Sequence, residues 1–204
     1  FAKLWEGARR LGVNQIINAR ENPRWRAEIG FVATGLGFCY LQHALHELGV
    51  EDQVPIHKLG ISYPIDPYLV EEFTKQVRSI FVIEERRGFM EEQISEIVSK
   101  LNQVATAANR TNVWGKEFPA GLQGIPATRG LNPSILIERL APLGKFFHDP
   151  NLELDQHRID CAVELVHTTG EFAINIPPRT PTFCPGCPHR DSASVLIEVK
   201  KQFM

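Results

Sequence analysis

Three short apolar runs, each followed by apolar residues at helical spacing, limit the folds open to this chain more than any other feature. Ile29-Gly30-Phe31-Val32-Ala33, bounded by Thr34-Gly35, and Ser79 to Glu84 read as strands buried on both faces, with Val54 to Ile61 as a third strand between them. Behind the first run, Phe38, Leu41, Ala44, Leu45 and Leu48 recur at helical spacing, and Gly49 stands where a C-terminal cap belongs. After the Val54 run, Asp66 is placed to cap a helix whose first position is Pro67. The spacing predicts a long helix from Gly88 to about Ala108 with Phe89, Ile94, Ile97 and Leu101 on one face, and Asn112 to Trp114 can add a strand. Buried strands alternating with amphipathic helices define an α/β fold, a three-layer α/β/α sandwich around a mostly parallel sheet, placed at residues 28–116.

The flanks are less regular. Residues 1–27 are basic and weakly patterned, with a helix through Leu4, Ala8 and Leu11 and a loop at Asn22-Pro23, and read as a leading linker. Residues 117–182 read as a connector: a Gly- and Pro-rich stretch, a helix over 133–144, a Val163–His167 segment that suits a strand or a short helix, and the stiff run Ile176 to Pro181. In residues 183–204, Asp191 or Ser192 can cap a final helix in which Val195, Leu196 and Val199 share a face. There are no internal repeats.

A chain of 204 residues can hold one large domain or one ordinary domain plus part of another, and an apolar fraction of 43% with 23% charged residues is ordinary globular composition. The 22 basic and 24 acidic residues leave a net charge of -2, so no electrostatic footprint points to nucleic acid or an anionic membrane. No stretch approaches the ~20 apolar residues that span a bilayer, and Phe1 to Arg10 is no signal peptide, so a soluble cytoplasmic protein is expected. The chain opens on Phe1 and ends inside what reads as a helix, so both ends are expected to be boundaries within a longer protein.

The string most suited to chemistry is Thr182-Phe183-Cys184-Pro185-Gly186-Cys187-Pro188-His189-Arg190-Asp191. Two cysteines three apart in a loop entering a helix can bind a metal or a cluster edge, and the helix N-terminus favours a thiolate there. A redox disulfide would want a thioredoxin-like strand before the motif. Zinc could use Cys184, Cys187 and His189 but lacks a second ligand pair. An iron–sulfur cluster as a rule takes four thiolates, of which this string supplies half. A plain tight turn remains the structural alternative. Cys39 and Cys161 are expected as buried structural thiols. Glu84 and Glu85 beside Arg86 and Arg87 read as a salt-bridged strand end, Thr34-Gly35-Leu36-Gly37 as a weak phosphate cradle, and His43 and His46 as surface residues without an acidic partner.

The Cys-Pro-Gly-Cys-Pro-His-Arg string resembles the start of the thiamine-diphosphate domain of indolepyruvate ferredoxin oxidoreductases, within the 2-oxoacid:ferredoxin oxidoreductase family. Ile29 to Gly35, Leu59-Gly60-Ile61-Ser62-Tyr63-Pro64, Val82-Ile83-Glu84-Glu85 with Gly88-Phe89, and Gly130-Leu131-Asn132-Pro133 resemble that family's middle domain, in the same order. The resemblance implies a domain like the C-terminal domain of transketolases, with 183–204 as the start of the thiamine-binding domain. For the full enzyme it implies oxidative decarboxylation of an aryl 2-oxoacid to an acyl-CoA, using thiamine diphosphate with magnesium and coenzyme A, and passing electrons to ferredoxin. It further implies partnership with other domains or subunits of the oxidoreductase, and a homodimer. Cys184 and Cys187 match a Cys-x-Gly-Cys pair that ligates an iron–sulfur cluster in related enzymes. Pro188-His189 departs from the glycine those relatives carry, and His189 and Arg190 are placed to face the diphosphate or the substrate carboxylate. No Gly-Asp-Gly motif lies between His189 and Met204, so this region is expected to be inactive alone. The reading from another class is a self-standing zinc-binding or partner-docking module; a third is a subunit that uses a different electron acceptor.

Overall fold

The computed structural model describes residues 1–19, 26–128, 130–174, 183–184 and 186–203. These residues fall into two compact units, Phe1–Thr168 and Thr169–Met204, each described by itself.

The first unit is built on a five-stranded sheet of order β1-β3-β2-β4-β5, where β1 is Gln15–Ile17, β2 Ala27–Thr34, β3 Ile56–Leu59, β4 Val77–Ile83 and β5 Asn112–Trp114. All neighbours are parallel except β1, which runs antiparallel to β3. Central β2 places Phe31 opposite both Ile56 of β3 and Phe81 of β4. Its near-continuous apolar sequence follows from that place, because a central parallel strand has both faces covered.

Helix α1 spans Ala2–Leu11, α2 Gly35–Glu47, α3 Pro67–Thr74 and α4 Phe89–Val104. The chain passes from β2 through α2 to β3 on one side of β2, then through α3 to β4 on the other side. Because such crossovers are right-handed, reversing direction across the sheet forces α2 and α3 onto opposite faces. Two separate cores result. Leu41 and Leu45 of α2 pack with Phe31, Phe81 and Ile83 on one face, while Phe73 of α3 and Ile94 of α4 pack with Val32, Ile80 and Val82 on the other. The three-layer α/β/α arrangement read from the sequence is thus the one observed.

Beyond β5 the chain adds to the first core. Helices α5 (Pro133–Leu140), α6 (Leu143–Phe146) and α7 (Gln156–Ile174) follow, and Phe118, Ile125, Leu131, Leu136, Leu143 and Ile159 are buried against α2 and the sheet. The Phe81 ring meets Phe118 edge-on at 4.9 Å and Phe147 at 5.7 Å. The segment that suited a strand or a short helix at Val163–His167 lies inside the long α7.

The start signals act as their chemistry dictates. Asp66 caps α3 by accepting from Tyr68 N at 3.1 Å, and Asn132 caps α5 by accepting from Ile135 N at 3.0 Å, each with proline next in the chain. Gly49 takes the left-handed conformation after α2. In α4 the buried stripe is Met90, Ile94 and Val98, and Phe89 is exposed. The predicted face was one residue out at its start, since neighbouring helix positions lie about 100° apart. The helix expected through Leu4, Ala8 and Leu11 is α1, and the weakly patterned residues after it hold edge strand β1. Asn14 Oδ1 ties the end of β3 down by accepting from Gly60 N at 2.8 Å and Ile61 N at 3.1 Å. A Cβ on Gly60 would stand 2.3 Å from the carbonyl oxygen of Val13, so only glycine allows this approach.

The second unit contains α8, Pro188–Phe203, none of whose described residues is buried. The stiff run expected at Ile176 to Pro181 lies outside the described residues. Among the described residues no helix is long and apolar enough to cross a membrane.

Candidate functional site

Sequence reasoning singled out the cysteine turn, which the structure describes at Cys184, Gly186 and Cys187. Cys187 N donates to Cys184 O at 3.0 Å, closing a four-residue turn, and Gly186 at its third position has φ 76°, the left-handed conformation that favours glycine. Helix α8 starts at Pro188, not at the expected cap Asp191 or Ser192. Proline suits a first helical position, where its missing N–H is no loss. Asp191 therefore sits in the first turn, and Ser192 Oγ donates back to Pro188 O at 3.3 Å.

This short geometry gathers the expected residues at one end of α8. Cys184 is exposed and Cys187 half-buried, and the Cys187 sulfur lies 3.5 Å from Nδ1 of His189. His189 and Arg190 are both exposed. Among the described residues no group of three or more His, Cys, Asp or Glu side chains converges as metal ligands would. The turn thus offers two sulfur donors and, beside them, an imidazole and a guanidinium. Two thiolates are half of what an iron–sulfur cluster takes, and the cationic pair suits an anionic group such as a diphosphate.

A second constellation, at the carboxyl end of β4 in the first unit, was missed. Ligands of open α/β sheets bind where strand order reverses, here the crevice outside the carboxyl ends of β2 and β4. Glu84, expected in a salt bridge with the arginines after it, is buried and accepts from Met90 N at 2.7 Å and Glu91 N at 3.0 Å. Its carboxylate satisfies two of the free amides at the start of α4 and faces the positive helix end, which is why it stands apart from Arg86 and Arg87. Lys116 Nζ donates to Glu84 O at 2.7 Å, and Glu91 accepts from Lys116 N at 2.9 Å. Burial raises the pKa of Glu91 and lowers that of Lys116. The signal in the sequence was a carboxylate between a strand end and a helix start, which a reading for charge pairs passes over.

Other expectations resolve into structure. Thr34 Oγ1 donates to Leu59 O at 2.7 Å, and a Cβ on Gly37 would lie 3.1 Å from Ile83 O, so the supposed phosphate cradle joins α2 closely to the sheet. His43 and His46 are exposed as expected, but His46 does have an acidic partner, Glu51 Oε2 at 2.5 Å from its Nδ1. Cys39 and Cys161 are exposed, not buried. Cys39 follows Phe38 and falls off the stripe that α2 buries, and Cys161 lies on the outer side of α7, 3.7 Å from His157 Nδ1.

A layered α/β domain with a reversal point in its sheet and a cysteine turn at a helix start is the class that fold and site define. The family model described as "Indolepyruvate oxidoreductase domain" matches residues 19–159, and the chain belongs to that family. It is similar to "Indolepyruvate oxidoreductase subunit IorA" of Methanothermobacter thermautotrophicus, with 31% identity over 179 residues, 87% of this chain and 23% of the relative. The protein of the same name from Thermococcus kodakarensis is 29% identical over 166 residues, covering 81% of this chain and 22% of the relative. That from Pyrococcus abyssi is 28% identical over 179 residues, 88% of this chain and 24% of the relative. The chain thus spans less than a quarter of the length of these curated relatives. No solved structure matches it.

Proposed function

We propose that this chain is the middle region of a thiamine-dependent indolepyruvate:ferredoxin oxidoreductase subunit, joined to the opening turn and helix of its cofactor domain. The observation that carries the reading is the similarity to IorA subunits over more than four-fifths of this chain, together with the cysteine turn at the start of α8.

On this reading the first unit forms a supporting domain, which contains the expected 28–116 and whose first core also takes in residues of the expected connector after 116, and 183–204 begin the domain that binds thiamine diphosphate with magnesium. Thiamine diphosphate would supply the carbanion chemistry of decarboxylating an aryl 2-oxoacid. The chain's own part is electrostatic and positional. Arg190 and His189 would donate to the diphosphate or the substrate carboxylate, and Cys184 and Cys187 would supply two thiolates to an iron–sulfur cluster whose other ligands come from elsewhere in the enzyme. Coenzyme A would take the acyl group and ferredoxin the electrons, in a cytoplasmic enzyme that works as a homodimer with a further subunit. The exposed apolar residues Val195, Leu196, Ile197 and Phe203 of α8 support this placement, because such a helix gains stability once a larger domain covers it.

Metal and sulfide analysis of anaerobically purified full-length protein tests the reading. Iron and sulfide that fall in a Cys184→Ser variant would assign that thiol as a cluster ligand. Zinc held by this chain through Cys184, Cys187 and His189 would replace the reading with a metal-binding docking module.

A further inference from the structure

After β4 the chain turns through Glu85, Arg86 and Arg87 into α4, and these three residues, with Phe89, Ala127 and Thr128, line an open cleft of about 540 Å3. That volume is in the range of small-molecule sites. Three features of its wall bear on the kind of ligand it suits. Arg86 and Arg87 are exposed and adjacent, and among the described residues neither guanidinium has an ion-pair or hydrogen-bond partner, although Glu85 is next to them. Arg86 is held at φ 63°, a left-handed conformation that non-glycine residues seldom adopt and that gathers at binding sites. Phe89 is half-exposed, its ring 5.8 Å from that of Tyr63, which is itself 61% exposed. An apolar ring left in water at the first position of a helix, on the wall of a cleft, is a stacking surface.

The start of α4 cannot be the anion site, since Glu84 already occupies its free amides. Any anion in the cleft must be held by the arginines, whose forked donors match phosphate oxygens. Two guanidinia beside an exposed ring select a ligand that joins phosphate to a planar aromatic group. The Glu85 carboxylate in the same wall adds an acceptor suited to sugar hydroxyls.

We infer that this cleft binds the phosphorylated nucleoside part of a ligand, with Arg86 and Arg87 on the phosphates, Phe89 under the base and Glu85 toward the ribose. The ADP moiety occurs in free nucleotides and, with its ribose 3′-hydroxyl phosphorylated, in coenzyme A, so the two sources differ at the sugar that Glu85 faces. All of its wall lies in the first unit, and the assignment does not depend on the thiamine reading.

Calorimetric titration of the 204-residue chain with ADP, coenzyme A, adenosine and inorganic pyrophosphate tests it. ADP is expected to bind, more tightly than either adenosine or pyrophosphate. An Arg86→Ser/Arg87→Ser variant is expected to weaken ADP by about tenfold or more, and Phe89→Ala to weaken ADP while leaving pyrophosphate unchanged. All three side chains are exposed, so unchanged thermal unfolding serves as the control for folding. Tighter binding of coenzyme A than of ADP would identify the acyl carrier as the ligand, and equal binding a free nucleotide; both support the site. Absence of ADP binding, pyrophosphate binding as tight as ADP, or an oligoglutamate peptide binding more tightly than ADP would each overturn it, the last in favour of an acidic protein partner.

Discussion

His57, in the middle of β3, shows what burial does to one ionisable side chain. It is 1% exposed, among the described residues neither ring nitrogen has a hydrogen-bond partner, and its ring lies 5.5 Å from that of Phe73. Desolvation lowers its pKa from 6.5 to about 4, so the folded protein keeps it neutral where the unfolded chain would protonate it. The unfolded state thus binds more protons between these two values. Stability is fully present above pH 6.5 and falls as pH drops toward 4, by about 3 kcal/mol from this residue. Urea unfolding at pH 7 and pH 4.5 is expected to show a loss of about 2 kcal/mol from this residue in the native protein and a smaller total loss in His57→Leu. Equal losses in both would show that other groups govern the acid response. Nothing in the apolar alternation of β3 announced this residue, because burial on an inner strand is set by neighbours far away in sequence.

At the scale of elements, two carboxylates fix how helices meet the sheet. Asp66, 2% exposed, both caps α3 and pairs with Arg9 of α1, 3.1 Å away. Asp66→Ala removes the cap and leaves Arg9 without its partner, and a loss of about 1–2 kcal/mol is expected in denaturant unfolding. Glu84→Ala strips the acceptor from two backbone amides at the start of α4 and is expected to lose about 2–3 kcal/mol, with Glu84→Gln, which keeps one acceptor oxygen, losing less. Equal stability of Glu84→Ala and the native chain would mean that water replaces the carboxylate. The cap at Asp66 was legible because Asp-Pro at a helix start is a local signal. The role of Glu84 was not, since its partners are set by the path of the chain between β4 and α4.

On the scale of the whole molecule, a sheet with its reversal point and two cores is a scaffold that holds loops at one edge. On the function proposed above, in which a Gly-Asp-Gly motif holds the metal and diphosphate of thiamine, the chain is expected to show no decarboxylation of indolepyruvate when given thiamine diphosphate and magnesium, because its sequence carries no such motif. Any turnover measured with this chain alone would sink that expectation. The cysteine pair was legible from its spacing as a turn leading into a helix, and the structure added the Gly186 conformation and the start of α8 at Pro188. The arginine cleft was not legible, because Ala127 and Thr128 reach Arg86 only through the packing of the chain after β5.

What the sequence determined by itself was local and periodic: buried strands, helix faces, the cap at Asp66, and the cysteine pair at the start of a helix. These depend on residues within a turn or two of one another, so their pattern survives in the linear chain. Tertiary structure alone decided that β1 joins the sheet edge, that residues after β5 complete the first core, that His57 is held neutral and that Glu84 faces a helix end rather than an arginine. Each depends on contacts between segments distant in sequence, and a residue's burial, partner and charge state are settled only when those segments meet.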